Sequence, residues 1–425
     1  MGRVAGGMIG ATLGGAVAQM LRGNRPDLAQ AALSPANALR LAGGLAHLRG
    51  AAMKLGQMLS MENGLVLPAE LTAILAQLQA AAPAMPPRQL KAMLSAEWGP
   101  DWARQFQRFD VQPIAAASIG QVHRAVLRDG QELAIKVQFP GVAASIDSDI
   151  ATLGRLLRMP GLLPRDLDIA PLLAEGRAQL YDEADYTREA AALSAYGAAL
   201  ADDAAFIVPR LHAPLSTARI LAMEFIDSQP IDALVTAPQA TRDRAARDLI
   251  SLVLREIFAL GQMQTDPNFA NYRLAPDGRI VLLDFGAARS ISAEVAERYR
   301  ALLGALLACD HEATRARMIE IGYFTASHPG ARQALITDLA LQASAPLRQA
   351  SAYDFGRSTL IADLAQAGQA LGQARDFWHV PPADLLFLHR KIGGMFLLAQ
   401  RLQAQVALHR LVRVWAPEAD AEHPV

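Results

Sequence analysis

Two Asp-Gly dipeptides, Asp129-Gly130 and Asp277-Gly278, each divide a pair of β-patterned runs in a chain otherwise patterned for helix. Residues 121–127 (QVHRAVL) alternate roughly with period two, and 132–139 (ELAIKVQF) resume the pattern after the first dipeptide. The second dipeptide lies within NYRLAPDGRIVLLDFG. Asp-Gly tolerates the positive φ that a tight turn needs, so each stretch predicts a β-hairpin. A further short strand pair is predicted near 206–226. Elsewhere apolar residues recur at three- and four-residue spacing, which predicts helices over most of 26–110, 142–200 and from 230 onward. Over 425 residues, 52% hydrophobic content with abundant alanine and few aromatics suits a helix-rich globular fold with a large core. The expectation is an α+β chain with strands clustered early and helices late. No repeat of solenoid period is present.

Four segments follow from the pattern. Residues 1–25 form a Gly/Ala-rich arm, 26–110 a helical extension, 111–227 a strand-rich lobe and 228–425 a helical lobe. Proline breaks at Pro68 and across 82–87 (APAMPP) divide the extension.

The chemistry-bearing residues lie at the ends of these strands. Asp284-Phe285-Gly286 directly follows the apolar run 280–283, a place for a metal-binding carboxylate on a sharply turning loop. Alone the tripeptide is a weak signal. Asp266 and Asn271 stand five apart in QTDPNFANYRL, just before the second hairpin. Mg²⁺ takes hard oxygen ligands from one or two carboxylates or amides and fills its shell with phosphate and water, so Asn271 and Asp284 are the candidate metal ligands. Lys136 lies among apolar neighbours on the second strand of the first hairpin. A lysine held there needs a carboxylate, and YDEADYTREA offers Glu183, Asp185 and Glu189. Glu183 and Asp185 would not share a face of a regular helix, which implies either two separate roles or an irregular helix start.

This order (strand lysine, loop Asp and Asn, hairpin, Asp-Phe-Gly) resembles that of protein kinases. The resemblance implies that Lys136 reaches the α- and β-phosphates, that Asp266 faces the nucleophile, and that main-chain groups of Glu224 and Ile226 contact adenine. One departure matters. Where protein kinases carry a Gly-rich loop, this chain has Ala115-Ala116-Ala117-Ser118-Ile119-Gly120-Gln121. Alanines restrict the backbone where glycines permit close phosphate approach, so this loop is expected to handle nucleotide differently.

With Lys54-Leu55-Gly56-Gln57 upstream, the motif set resembles the UbiB family of atypical kinase-like proteins linked to ubiquinone (coenzyme Q) biosynthesis. LHRKIGGMFLL at 388–398 resembles its coenzyme Q kinase-like branch. The resemblance implies a two-lobed protein-kinase-like fold with a helical extension and an ATP or ADP site completed by Mg²⁺. It further implies slow ATP hydrolysis acting on or with lipid-like quinone intermediates, and little protein phosphorylation in trans. Ala115, Ala116, Ala117, Ser118, Lys136, Glu183, Asp185, Glu224 and Ile226 are the implied nucleotide contacts. Asp266, Lys136, Lys54 and Gln57 are the implied catalytic set. Lys54 and Gln57, three apart, would share a helix face over the place of a protein substrate. By the same resemblance Lys54 meets Glu183 or Asp185, and Lys136 pairs with Glu183. A small-molecule kinase for a lipid or isoprenoid alcohol and a nucleotide-gated, non-catalytic membrane- or partner-binding module are the alternative functions.

Charge and cysteine content narrow the partners. Forty Lys plus Arg against 41 Asp plus Glu, without a long basic run, point away from nucleic acid. The single cysteine, Cys309, excludes an internal disulfide framework and a Cys-based zinc site, and reads as a small buried apolar residue. Residues 5–21 carry no charge but would span only roughly 25 Å as a helix, short of a bilayer core. They read as a flexible arm, a membrane-contacting or dimerising helix (Gly6, Gly10 and Gly14 favour close helix approach), or a short span. A signal or transit peptide is not evident, and the two C-terminal spans of some bacterial relatives are not expected. The chain is therefore expected to be cytoplasmic and peripheral on the inner membrane, with ubiquinone-biosynthesis proteins and a second copy of itself among its partners.

Overall fold

The computed structural model describes residues 84–117, 119–157, 170–372 and 382–416. Lys54, Gln57, Ser118 and the 5–21 arm lie outside them. The chain divides into two compact units. One runs through Ser194 and takes in Arg210–Phe225; the other comprises Ala195–Pro209 and Ile226 onward.

The first unit opens with helix α1 (Pro87–Trp98) and strands β1 (Phe106–Phe109), β2 (Ala115–Ala117), β3 (Gly120–Leu127) and β4 (Glu132–Gln138). Helices α2 (Val142–Leu157), α3 (Ala170–Glu183) and α4 (Tyr186–Ala199) follow. The chain then passes through β5 (Phe206–Ile207), which belongs to the second unit, and returns with β6 (Ile220–Glu224). The sheet order is β1-β3-β4-β6, with β2 also paired to β3, all antiparallel. The β3–β4 turn forms as the pattern predicts. Gly130 takes φ +88°, its N–H donates to Leu127 O at 3.0 Å, and Asp129 Oδ1 accepts from Gln131 N at 2.9 Å. On one sheet face Ala125, Leu133, Ile135, Val137, Ile220 and Ala222 pack with Leu90, Met93 and Leu94 of α1. β1 falls in the stretch patterned as helical (26–110). It becomes a strand because Phe106 and Phe109 join Trp98 and Trp102 in an aromatic cluster with ring centroids 5.1–6.3 Å apart.

The second unit is mainly helical. It holds β7 (Gln229–Pro230), α5 (Gln239–Phe258), β8 (Gln262–Gln264), β9 (Tyr272–Leu274), β10 (Ile280–Leu282) and β11 (Ala288–Ser290). Then come α6 (Ala293–Ala308), α7 (His311–Ile321), α8 (Gly330–Ala343), α9 (Ala345–Arg348), β12 (Tyr353–Asp354), α10 (Leu360–Gly372), α11 (Ala383–Arg401), β13 (Gln405–Val406) and α12 (Leu408–Arg413). The β9–β10 hairpin turns as the first does. Gly278 takes φ +84°, its N–H donates to Ala275 O at 2.9 Å, and Asp277 Oδ1 accepts from Arg279 N at 3.0 Å.

Two expectations are corrected. The strand pair expected near 206–226 is reduced to one antiparallel bridge, Leu211 opposite Met223, because β5 runs parallel to β10 and β6 runs antiparallel to β4 in the other sheet. Cys309 is exposed rather than buried, because α6 ends there and the residue takes the left-handed conformation, φ +56°, at the C-cap.

Candidate functional site

Lys136 enters its surroundings from β4, opposite Val122 of β3 and Leu221 of β6. Its Nζ donates to Glu189 Oε1 and Oε2, both at 2.8 Å, and lies 5.2 Å from the Tyr186 ring centroid. Both charged side chains are more than nine-tenths buried. The carboxylate that holds Lys136 is thus Glu189, where the resemblance implied Glu183. The reason is a break in the helix. Glu183 ends α3, Ala184 turns the chain, and α4 starts at Tyr186, which puts Glu189 in its first turn. Asp185 caps that helix, its Oδ1 accepting from Thr187 N at 3.0 Å. The irregular helix start is therefore the reading of the Glu-x-Asp spacing that holds. Gln138, also on β4, fixes the break by donating to Ala184 O at 2.9 Å.

The alanine segment is the strand β2, in register with β3: Ala115 opposite Val122, Ala116 opposite Gln121 and Ala117 opposite Gly120. Ala115 and Ala116 are exposed. Gly120 is required by close approach, since a Cβ there would lie 2.4 Å from Val137 O and 2.8 Å from the Tyr186 hydroxyl oxygen. Behind the strand a buried polar chain runs from Met85 N to Gln121 Oε1 (2.8 Å), Gln121 Nε2 to His123 Nε2 (2.8 Å) and His123 Nδ1 to Asp110 O (2.8 Å). Only a neutral His123 with its proton on Nδ1 satisfies every member. Burial holds the His123 pKa below its ordinary value, against the pull of the Asp110 carbonyl and carboxylate.

At the end of β6 the Glu224 N–H donates to Arg210 O at 2.8 Å, and its carboxylate meets Arg210 Nε at 3.0 Å. In the second unit the Ile226 carbonyl accepts from Ser228 Oγ at 3.1 Å.

The second unit gathers Asp266, Asn271 and Asp284. The β9–β10 ladder extends past its strands, with Leu283 N donating to Asn271 O at 2.8 Å, so Asn271 sits beside the residue preceding Asp284. Asn271 is buried and its Nδ2 donates to Asp266 O at 3.3 Å. Asp284 takes φ +61°, an uncommon and costly conformation for a residue with a side chain, and its Oδ1 accepts from Gly286 N at 3.1 Å. Phe285 is buried against Tyr196, with centroids 4.8 Å apart, and anchors the turn. One amide oxygen and one carboxylate are the donors Mg²⁺ takes from protein, so this pair fits that ion.

Two residues of α11 complete the loop, and the sequence reading missed their role. Arg390 Nη2 lies 3.3 Å from Asp266 Oδ1, both side chains being 13% exposed or less. Lys391 is fully buried, with Nζ 3.2 Å from Glu256 Oε2, 3.0 Å from Gln264 Oε1 and 3.1 Å from the Tyr272 hydroxyl. Tyr196 donates to Glu256 Oε1 at 2.8 Å. Burial pulls the Lys391 pKa down, but Glu256 and Tyr272 outweigh it and hold the ammonium above its ordinary value. A usable signal was present: a charged doublet inside LLFLHRKIGGMFLL has to find partners if that helix is buried.

Comparison with known proteins places these residues in context. The model of the ABC1 atypical kinase-like domain matches residues 77–318. The mitochondrial atypical kinase COQ8 of Saccharomyces cerevisiae is 36% identical over 402 residues, covering 93% of this chain and 79% of that protein. Coq-8 of Caenorhabditis elegans is 36% identical over 88% of this chain and 50% of its own length, and COQ8B of Rattus norvegicus 35% over 90% and 74%. A Mycobacterium tuberculosis protein solved in complex with erythromycin shares the fold, with a TM-score of 0.61 and 24% identity over 92% of this chain and 98% of that one.

Proposed function

The chain belongs to the ABC1 atypical kinase-like family, and on that footing we propose that it binds ATP or ADP with Mg²⁺ and hydrolyses ATP slowly in support of ubiquinone biosynthesis. The observation that carries this reading is Lys136, buried on a central strand and gripped by both oxygens of Glu189. A buried ion pair is weak support for stability, so its retention argues for a task. That task is to present a fixed ammonium to the nucleotide phosphates.

The roles are proposed residue by residue. In the first unit, Lys136 binds phosphate, the Ala115–Ala117 strand borders it, and the Glu224 carbonyl meets the adenine edge. In the second, the Ile226 N–H does the same, Asn271 and Asp284 hold Mg²⁺, and Asp266 orients the nucleophile. When bound, Mg²⁺ offsets phosphate charge and so supplies the electrostatic part of catalysis. The protein's own residues supply position: Gln264 Nε2 holds the Asp284 carbonyl at 3.2 Å, and Thr265 Oγ1 donates to Ala287 O at 2.8 Å. By the family resemblance, the Lys54–Gln57 segment would cover the place of a protein substrate, with Lys54 meeting Glu183 or Asp185, which directs the chain to water or a small hydroxyl compound.

Lipid-like quinone intermediates, a membrane surface, ubiquinone-biosynthesis proteins and a second copy of the chain are the partners this reading implies. Among the described residues no helix is long and apolar enough to cross a membrane. The deciding experiment is single-turnover phosphate release from Mg-ATP, with and without a hydrophobic phenol, for wild type and Asp284→Asn. Release that needs Mg²⁺ and Asp284 supports the proposal; phosphate appearing on the phenol instead makes the chain a small-molecule kinase. If Asp284→Asn abolishes hydrolysis yet sustains ubiquinone synthesis in cells, the enzymatic reading is lost.

A further inference from the structure

Helix α11 meets the segment 264–267 at three positions within about one turn. Arg390 reaches Asp266, Lys391 reaches Gln264, and Gly394 lies so close to Pro267 that a Cβ would stand 2.1 Å from its Cβ. Gln264 passes the contact on: its Oε1 accepts from Lys391 and its Nε2 donates to the Asp284 carbonyl. One helix face is therefore connected to the Asp266 side chain and to the Asp284 backbone. Arg390 also keeps its Nε buried with no hydrogen-bond partner among the described residues. An unpaired buried donor costs stability, so stability alone does not explain an arginine at this position.

We propose that Arg390 and Lys391 are positioning residues: Arg390 fixes the Asp266 carboxylate for the nucleophile, and Lys391, through Gln264, fixes the turn that presents Asp284. The inference rests on the reading of Asp266 and Asp284 given above. A guanidinium does for Asp266 what a neutral donor cannot, since its charge-assisted contact comes from a planar, rigid fork that limits carboxylate rotation. The buried Lys391–Glu256 pair gives the helix a fixed register against α5, so the Arg390 head returns to the same place.

The test uses the full chain with Arg390→Gln, Arg390→Lys and Arg390→Ala. Expected for Arg390→Gln is a fall in kcat of about 10- to 100-fold, the scale on which misplacement of a reacting group acts. The KM for Mg-ATP stays near wild type, and rates are compared at a temperature where circular dichroism shows the variant fully folded. Arg390→Lys keeps more of the rate, and millimolar guanidinium raises the rate of Arg390→Ala. A kcat for Arg390→Gln within about twofold of wild type overturns the proposal. So does a loss that appears only as a higher KM or an unfolded chain. Amide exchange over 264–271 is measured in parallel, with faster exchange expected in Arg390→Gln. If wild type hydrolyses no ATP, the functional reading fails on its own. The exchange comparison then decides the clamp, and unchanged exchange removes it.

Discussion

Lys136 Nζ stands 2.8 Å from each carboxylate oxygen of Glu189, and almost none of either side chain is exposed. Removing one partner strands a charge in the interior, so Glu189→Gln is expected to lower unfolding stability by about 3 kcal/mol in urea titration. Replacing both, as Lys136→Met with Glu189→Leu, should recover much of that loss, because apolar groups of similar volume do not carry the desolvation cost. Nucleotide binding should stay lost in the double variant. A double variant that binds Mg-ATP as wild type does would remove Lys136 from the phosphate site.

Asp284 offers a cleaner separation of stability from function. Asn tolerates the left-handed region at least as well as Asp and keeps an oxygen for the Gly286 N–H. Asp284→Asn should therefore unfold within about 1 kcal/mol of wild type. It lacks the negative charge proposed to bind the metal, so its affinity for Mg-ATP should fall at least about tenfold while its affinity for metal-free nucleotide changes little. Calorimetric titration with and without Mg²⁺ measures both.

These two sites also show what could be read in advance. Both Asp-Gly hairpins, the strand position of Lys136 and the places of Asn271 and Asp284 at the ends of the second hairpin were legible because their signals are local: a turn chemistry, a period of two, a short motif. Glu189 was legible only as one of three acids. Choosing among them required knowing that the helix breaks at 184–185, which spacing on an unbroken helix cannot reveal. The fates of β5 and β6 were hidden because short apolar runs carry no label for the sheet they join. Arg390 and Lys391 were hidden for the opposite reason: their partners lie more than 100 residues away, and in sequence they look like interruptions of an apolar helix.

The His123 network predicts an acid limit for the first unit. The His123 pKa is lower in the folded chain than unfolded, so at falling pH the unfolded chain binds the extra proton first. The stabilisation is complete above the unfolded value of about 6.5 and is lost as pH drops from there toward the folded value. Urea midpoints should therefore fall between about pH 7.5 and about pH 5.5. His123→Gln, which cannot take up the proton, should flatten that dependence. Equal slopes for the two proteins would show that His123 is not the group responsible.

The adjacent glycines of α11 give the sharpest contrast, because they share a helix and differ only in what faces them. A glycine in a helix interior costs about 1 kcal/mol relative to alanine. Nothing lies within 4 Å of a Cβ built on Gly393, so Gly393→Ala should recover up to about that amount and leave hydrolysis unchanged. A Cβ on Gly394 would stand 2.1 Å from Pro267 Cβ and 2.7 Å from its Cγ, and the proline cannot swing aside as a flexible side chain would. Gly394→Ala must push the helix off the 264–267 segment, and a cost of about 1–3 kcal/mol is expected. Because the displaced segment carries Asp266, the hydrolysis rate should drop as well, even at a temperature where the variant is fully folded. Matched behaviour of the two alanine variants, in stability and in rate, would mean that the contact between α11 and Pro267 does not set the loop.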